Sequence, residues 1–167
     1  MFRRKRIFSS ALFFPYANRF VDNAKKLNKL DIPTITPLNI YCLPHIQRTA
    51  VHYLPVEGDT LRALTKEMGD PAPLLKKFAK FIAELHRKGV YFRSIHLGNV
   101  VLTENNKFAL IDIADLKCYG NPLSRTLKKR NIKHLLRPPE DDWILKPNLT
   151  EMLTSYHQDQ KNINCRP

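Results

Sequence analysis

Residues 89–115 read GVYFRSIHLGNVVLTENNKFALIDIAD, and their order decides how the chain folds. Gly89 stands where a helix closes on a left-handed residue. Asn99 to Thr103 (NVVLT) and Phe108 to Ile113 (FALIDI) are strand-like runs, and Glu104 to Lys107 between them suits a hairpin loop. A hairpin of this kind places Asn99 at the start of one strand and Asp112 at the end of its partner. The two side-chain oxygens can then converge on one divalent cation. Magnesium prefers such hard oxygen ligands and takes phosphate oxygens and waters as the remainder. Phosphoryl transfer needs an ion of that kind to neutralise charge on the moving group. The plainer alternatives are Asp112 as a carboxylate capping a turn and Asn99 as a turn former after Gly98.

Moving upstream from Gly89, the clearest helix of the chain comes first. Asp70 can cap it and Pro71 suits its first position. Leu74, Leu75, Phe78, Phe81, Ile82 and Leu85 form one apolar stripe at helical spacing. Lys76, Lys77 and Lys80 ride the other face. Before it, Asp59 or Thr60 caps a short helix running to about Met68. Arg48 to Leu54 and Leu38 to Cys42 are strand candidates. Tyr16 to Leu30 reads as a helix, with Ala17, Phe20, Val21, Ala24 and Leu27 on one side and Asp31-Ile-Pro33 as its stop. Downstream, Leu123 to Arg137 is helical and basic, and Leu149 to Tyr156 makes one more helix. Trp143 reads as a packing residue, and His45, His52, His86, His134 and His157 lack metal-ligand spacing.

The chain has 167 residues, 43% of them hydrophobic, which suits one domain with a real core. Its 28 Lys and Arg against 15 Asp and Glu give a formal charge of +13. Such a balance favours an anionic partner: nucleotide, phosphorylated glycan, nucleic acid or an acidic membrane surface. Lys117, Arg125, Lys128, Lys129, Arg130, Lys133 and Arg137 follow one another with no acid between them. Glycan or anionic lipid ranks above nucleic acid for that stretch, because no nucleic-acid motif accompanies the charge. The three cysteines, Cys42, Cys118 and Cys165, form no CxxC pair, and no disulfide framework is expected. The opening MFRRKRIFSSALFF lacks a cleavage pattern and is taken as a strand end leading into a helix, with a membrane-contacting basic segment as the second choice. No apolar run has transmembrane length.

With these residues in view, the chain resembles the protein-kinase-like superfamily. That family's catalytic loop, H-R-D-x-x-x-x-N, precedes a strand pair and D-F-G. Aligned on Asn99, the loop here is Phe92-Arg93-Ser94 and then Asn99, and D-F-G becomes Asp112-Ile113-Ala114. Ile95-His96-Leu97-Gly98-Asn99 is similar to the H-x-G-N loops of small-molecule and glycan kinases. The resemblance extends to bacterial lipopolysaccharide core kinases and the toluene tolerance group. It rests also on Leu110-Ile-Asp-Ile-Ala-Asp115 and Ser9-Ser-Ala-Leu12, and covers roughly Arg3 to Arg137.

The resemblance implies an α+β, two-lobed, protein-kinase-like fold. Residues 1–54 would form a truncated N-terminal lobe, 55–156 a mainly helical C-terminal lobe, and 157–167 a tail. Asn99 and Asp112 would hold magnesium, and Tyr53 and Leu54 would lie at the hinge where the ATP adenine docks. Arg93 and His96 would organise the catalytic loop. The expected reaction moves the γ-phosphoryl group of ATP to a sugar hydroxyl of the lipopolysaccharide core. The expected place is the cytoplasm, peripheral on the inner face of the bacterial inner membrane.

Two departures qualify these expectations. Ser94 occupies the position of the catalytic carboxylate, and a serine accepts no proton near neutral pH without a base beside it. His96 and Asp115 are the substitutes. A chain that has lost catalysis and survives as a pseudokinase-type binding protein is the alternative. The five glycines, at 58, 69, 89, 98 and 120, also leave no glycine-rich phosphate loop upstream of the hinge. The phosphate-gripping lysine would fall at or before Met1, with Lys5 the nearest candidate beside Arg3 and Arg4. Its glutamate partner has no counterpart in Tyr16 to Leu30, where Asp22 is the only acid. A chain shortened at its N-terminal end is the expected explanation.

Overall fold

The computed structural model describes the backbone of residues 2–3 and 16–164 and the side chains of residues 16–160. Lys5, Arg4, the Arg3 side chain and the Ser9 to Leu12 segment lie outside the described residues.

Among the described residues the architecture mixes helices with three small antiparallel sheets, as an α+β chain should. Strand β1 (Phe2–Arg3) pairs with β3 (Arg48–Leu54), which pairs in turn with β2 (Thr36–Leu43), giving the order β1-β3-β2. A bulge between Pro37 and Asn39 interrupts the β2–β3 ladder. Helix α1 (Tyr16–Lys29) precedes this sheet. It buries Ala17, Phe20, Ala24 and Leu27, the one-sided stripe its spacing predicts. Asp31, at φ 53°, ends it in the left-handed region, where aspartate is better tolerated than most residues.

Beyond β3 come β4 (Asp59–Thr60) and α2 (Leu61–Glu67), the latter capped as expected by Thr60, whose hydroxyl accepts from the Ala63 N–H. Helix α3 (Ala72–Arg87) begins one residue after Pro71, and the Asp70 carboxylate accepts from the Ala72 N–H. Every residue of its predicted stripe is buried. Each such side chain contributes on the order of 1.5–3 kcal/mol through its removal from water.

Gly89 follows at φ 73°. A Cβ there would stand 2.2 Å from the Tyr119 carbonyl oxygen and 2.4 Å from that of Asn121. Both obstacles are backbone, so a side chain needs the chain itself to move. Gly89→Ala is therefore expected to cost about 2 kcal/mol in unfolding free energy, from the positive φ and the overlap together. A urea titration reads it, and a change under 0.5 kcal/mol would show that the turn yields easily.

Strand β5 (Val90–Phe92) pairs with β8 (Leu116–Cys118). Strand β4 pairs with β6 (Val100–Leu102), and β6 with β7 (Phe108–Leu110) through the expected hairpin. The β6 and β7 strands are shorter than the sequence runs suggest. Asn99 lies in a 3-10 turn (Leu97–Asn99) before β6, and Asp112 lies two residues past β7, at the head of a second turn (Ile113–Asp115). Helices α4 (Arg125–Leu135) and α5 (Asp142–Asn164) complete the described residues. Among the described residues, no helix is long and apolar enough to cross a membrane.

Two expectations fail here. The last helix begins at Asp142 rather than Leu149 and runs through Pro147. Pro147 is the sixth residue of that helix, past the first turn, so it gives up the bond that an N–H there would make to the Trp143 carbonyl. Trp143, expected to pack, is 50% exposed.

Candidate active site

The loop after β5 is built by backbone bonds first. The Ile95 N–H donates to the Phe92 carbonyl, and the Asn99 N–H to the His96 carbonyl. The Asn99 carbonyl then accepts from the Ile111 N–H at 3.0 Å. That single bond fixes Asn99 beside the segment that presents Asp112. The Asn99 side chain is buried, and its Nδ2 donates to the Ser94 carbonyl at 2.9 Å. Its Oδ1 is left as the available oxygen donor.

Asp112 itself sits at φ 50°, ψ 46°, a conformation that costs a residue with a Cβ about 1 kcal/mol. No hydrogen bond or ion pair among the described residues engages its carboxylate. The chain thus holds a strained residue whose side chain is committed to nothing else.

A cavity of about 500 Å³ brings six predicted residues together: Arg93, Ser94, His96, Asn99, Asp112 and Asp115. Within it the Ser94 hydroxyl donates to the Asp115 carboxylate across 3.4 Å, a long contact. The carboxylate missing at position 94 is thereby present one residue contact away. His96 caps the 3-10 turn, its Nδ1 accepting from the Gly98 N–H at 3.1 Å. Burial, followed by the charge of Arg62, lowers the His96 imidazole below its ordinary pKa. A neutral ring whose Nδ1 already serves the backbone makes His96 a positioning residue. The remaining predicted residues, Tyr53 and Leu54, lie at the exposed end of β3 and do not line this cavity. The Tyr53 ring packs against Phe20 of α1, with centroids 5.4 Å apart.

Residues that sequence reasoning missed hold this site in place. Asn23 of α1 is buried, and its Nδ2 donates to the carbonyls of Ile113 and Leu116 at 2.7 and 2.9 Å. It clamps the turn that follows Asp112. Asp141 is fully buried and accepts from Arg62 Nε at 2.7 Å, Arg62 Nη2 at 3.1 Å and the Leu97 N–H at 3.1 Å. A charge fully removed from water survives only when paired in this way. Neither residue carries a local sequence signal: Asn23 follows Asp22 on an ordinary helix, and Asp141 sits in a run of prolines and acids.

Among the described residues, no cluster of three or more His, Cys, Asp or Glu could hold a metal. The Asn99 and Asp112 oxygens instead fit an ion that draws most of its ligands from phosphate and water, as magnesium does. A larger groove of about 810 Å³ lies between α3 and the β6–β7 hairpin. Its walls mix Lys77, Lys80 and Arg87 with Glu84 and Asp159, and it holds none of the predicted site residues. The chain matches no protein-family model, and no curated protein is similar enough to count as a match.

Proposed function

We propose that the chain is a kinase-like phosphotransferase that moves the γ-phosphoryl group of ATP to a sugar hydroxyl, with the lipopolysaccharide core as the acceptor class. The observation that carries this reading is one cavity in which Asn99, Asp112, Ser94 and Asp115 meet. The strand pair that unites them is β6–β7, tied by the Ile111 to Asn99 backbone bond. In this view β1 to β3 with α1 form a reduced N-terminal lobe, and the helices from α2 onward form the C-terminal lobe. Tyr53 and Leu54, joining them, receive the adenine. The work is cytoplasmic, with the basic α4 face resting on an anionic inner-membrane surface.

Asn99 and Asp112 would hold magnesium, which when bound neutralises charge on the transferring group. Asp115 accepts the proton of the acceptor hydroxyl, directly or through Ser94. His96 and Asn99 fix the loop. Positioning and electrostatics supply most of phosphoryl transfer, so a displaced base is compatible with turnover. Ser94 specifically favours the second reading, a pseudokinase that binds nucleotide without transfer.

Calorimetric titration of the full chain with ADP, with and without magnesium, is the first test. Asp112→Gly is expected to weaken magnesium-dependent binding at least tenfold. It should also raise the melting temperature by roughly 2–4 °C, because glycine relieves about 1 kcal/mol of backbone strain. Absence of magnesium-dependent binding in the wild-type chain sinks the kinase reading. Binding without sugar phosphorylation, converted to activity by Ser94→Asp, establishes the pseudokinase.

A further inference from the structure

The same cavity also holds Arg93, His134 and Arg137. Arg93 precedes Ser94 in the loop after β5, His134 lies in the last turn of α4, and Arg137 follows that helix. Among the described residues neither guanidinium has a hydrogen-bonding or carboxylate partner. Nε2 of His134 is shut from solvent and also lacks a hydrogen-bond partner among them. The imidazole is held below its ordinary pKa by burial, then by Arg130, Arg93 and Arg137, so cations crowd this side of the cavity. Asp112 and Asp115 line it too, but among the described residues neither forms an ion pair with these arginines. Like charges gathered in this way raise the folded state's energy unless an anion joins them.

We propose that Arg93, His134 and Arg137 form a subsite for a phosphomonoester on the acceptor, so that the substrate of this cavity is a sugar already bearing phosphate. The proposal rests on the phosphotransfer reading for the identity of the acceptor. Guanidinium groups bind phosphate with two parallel N–H donors, and His134 lines the cavity beside them. The location selects the acceptor over the nucleotide. Tyr53 and Leu54, the proposed adenine contacts, do not line this cavity, whereas Arg93 adjoins Ser94, where an acceptor hydroxyl would be handled. The volume of about 500 Å³ accommodates a sugar phosphate.

The test titrates the full chain by calorimetry with glucose 6-phosphate, glucuronate and glucose, and separately with magnesium and ADP. Glucose 6-phosphate is expected to bind at least tenfold more tightly than glucose. Arg137→Gln should weaken it at least fivefold and His134→Gln about threefold, with ADP affinity unchanged within twofold in both. Exposed Arg137 makes its variant safe for folding, and a thermal melt checks this. The proposal is overturned if glucose 6-phosphate binds no better than glucose, or if glucuronate binds as well as the phosphate ester. Equal losses for ADP and glucose 6-phosphate in Arg137→Gln also overturn it, since the arginines would then serve the nucleotide. Glucose 6-phosphate binding that depends on Arg137, in a chain that binds no ADP, supports the subsite while removing the kinase reading.

Discussion

Replacing Asp141 with alanine is expected to lower the unfolding free energy by about 3 kcal/mol and, on the proposed phosphotransfer reading, to weaken magnesium-dependent ADP binding about tenfold. The carboxylate is fully buried and satisfies three donors: two from Arg62 and the Leu97 N–H. Its loss leaves a buried amide without an acceptor and a guanidinium without its main partner. Breaking a buried ion pair from one side costs roughly 3–5 kcal/mol, because the surviving charge stays desolvated. The lower end applies here: the Arg62 side chain is 26% exposed and Glu140 stands 3.5 Å away as a substitute. Asp141→Asn keeps the shape and part of the bonding, so about 1–2 kcal/mol is expected of it. The effect on binding follows from geometry. The Leu97 amide opens the turn that ends at Asn99, so a freed turn no longer holds Asn99 near Asp112. Urea unfolding and calorimetry measure the two effects separately. An alanine variant within 1 kcal/mol of wild type would show that Arg62 and the loop repack without the carboxylate.

What the sequence made legible was local. The α1 and α3 stripes, the Thr60 cap, the turn at Gly89 and the loop between β6 and β7 each rest on residues a few positions apart, and each appears where spacing placed it. That Asn99 and Asp112 line one cavity was legible for the same reason, since one hairpin sets their distance along the chain. What stayed hidden depends on partners far away in sequence. Asn23 reaches Ile113 across 90 positions and Asp141 reaches Arg62 across 79. An isolated Asn on a helix, or an Asp among prolines, gives no sign of such a partner. The start of α5 was hidden by Pro147, a residue that reads as a breaker yet lies inside this helix, past its first turn.

The site therefore depends on two kinds of support. The hairpin orders Asn99 and Asp112 through short-range backbone bonds. Asn23 and Asp141 then fix the two turns flanking them from α1 and from the start of α5. The N-terminal sheet joins this arrangement through α1, whose lower face carries both the Tyr53 contact and the Asn23 clamp. A displacement of α1 would move the turn after Asp112 with it. That linkage makes β3 and the Asn99–Asp112 segment parts of one mechanical unit, although Tyr53 lies outside the cavity.

Acid is expected to destabilise the chain by about 3 kcal/mol between pH 6.5 and pH 4 through His86 alone. This ring is fully buried between three helices. Its Nε2 meets Asn131 Oδ1 at 2.9 Å, and its Nδ1 meets the Tyr156 hydroxyl at 2.8 Å. Asn131 Nδ2 is already committed to the Phe92 carbonyl at 2.6 Å, so Oδ1 must accept and His86 Nε2 must donate. Nδ1 then accepts from Tyr156, and the network requires a neutral imidazole. Burial is the main cause that lowers the His86 pKa to about 4, opposed by the Asn131 bond and assisted by the charge of Lys128. Tyr156 is pushed up to about 12 by burial and stays protonated throughout. The folded state thus binds this proton less readily than the unfolded chain, whose histidine titrates near 6.5. Stability is complete above pH 6.5, falls as pH drops, and reaches its lower level below about 4. His86→Gln should begin less stable at neutral pH but show a slope shallower by about 3 kcal/mol across that window. His96 and His134, also lowered, contribute in the same direction and remain in both proteins. An imidazole resonance of the wild-type chain that resists titration down to about pH 4.5 would identify His86 directly, and titration of every histidine near pH 6.5 would refute the assignment.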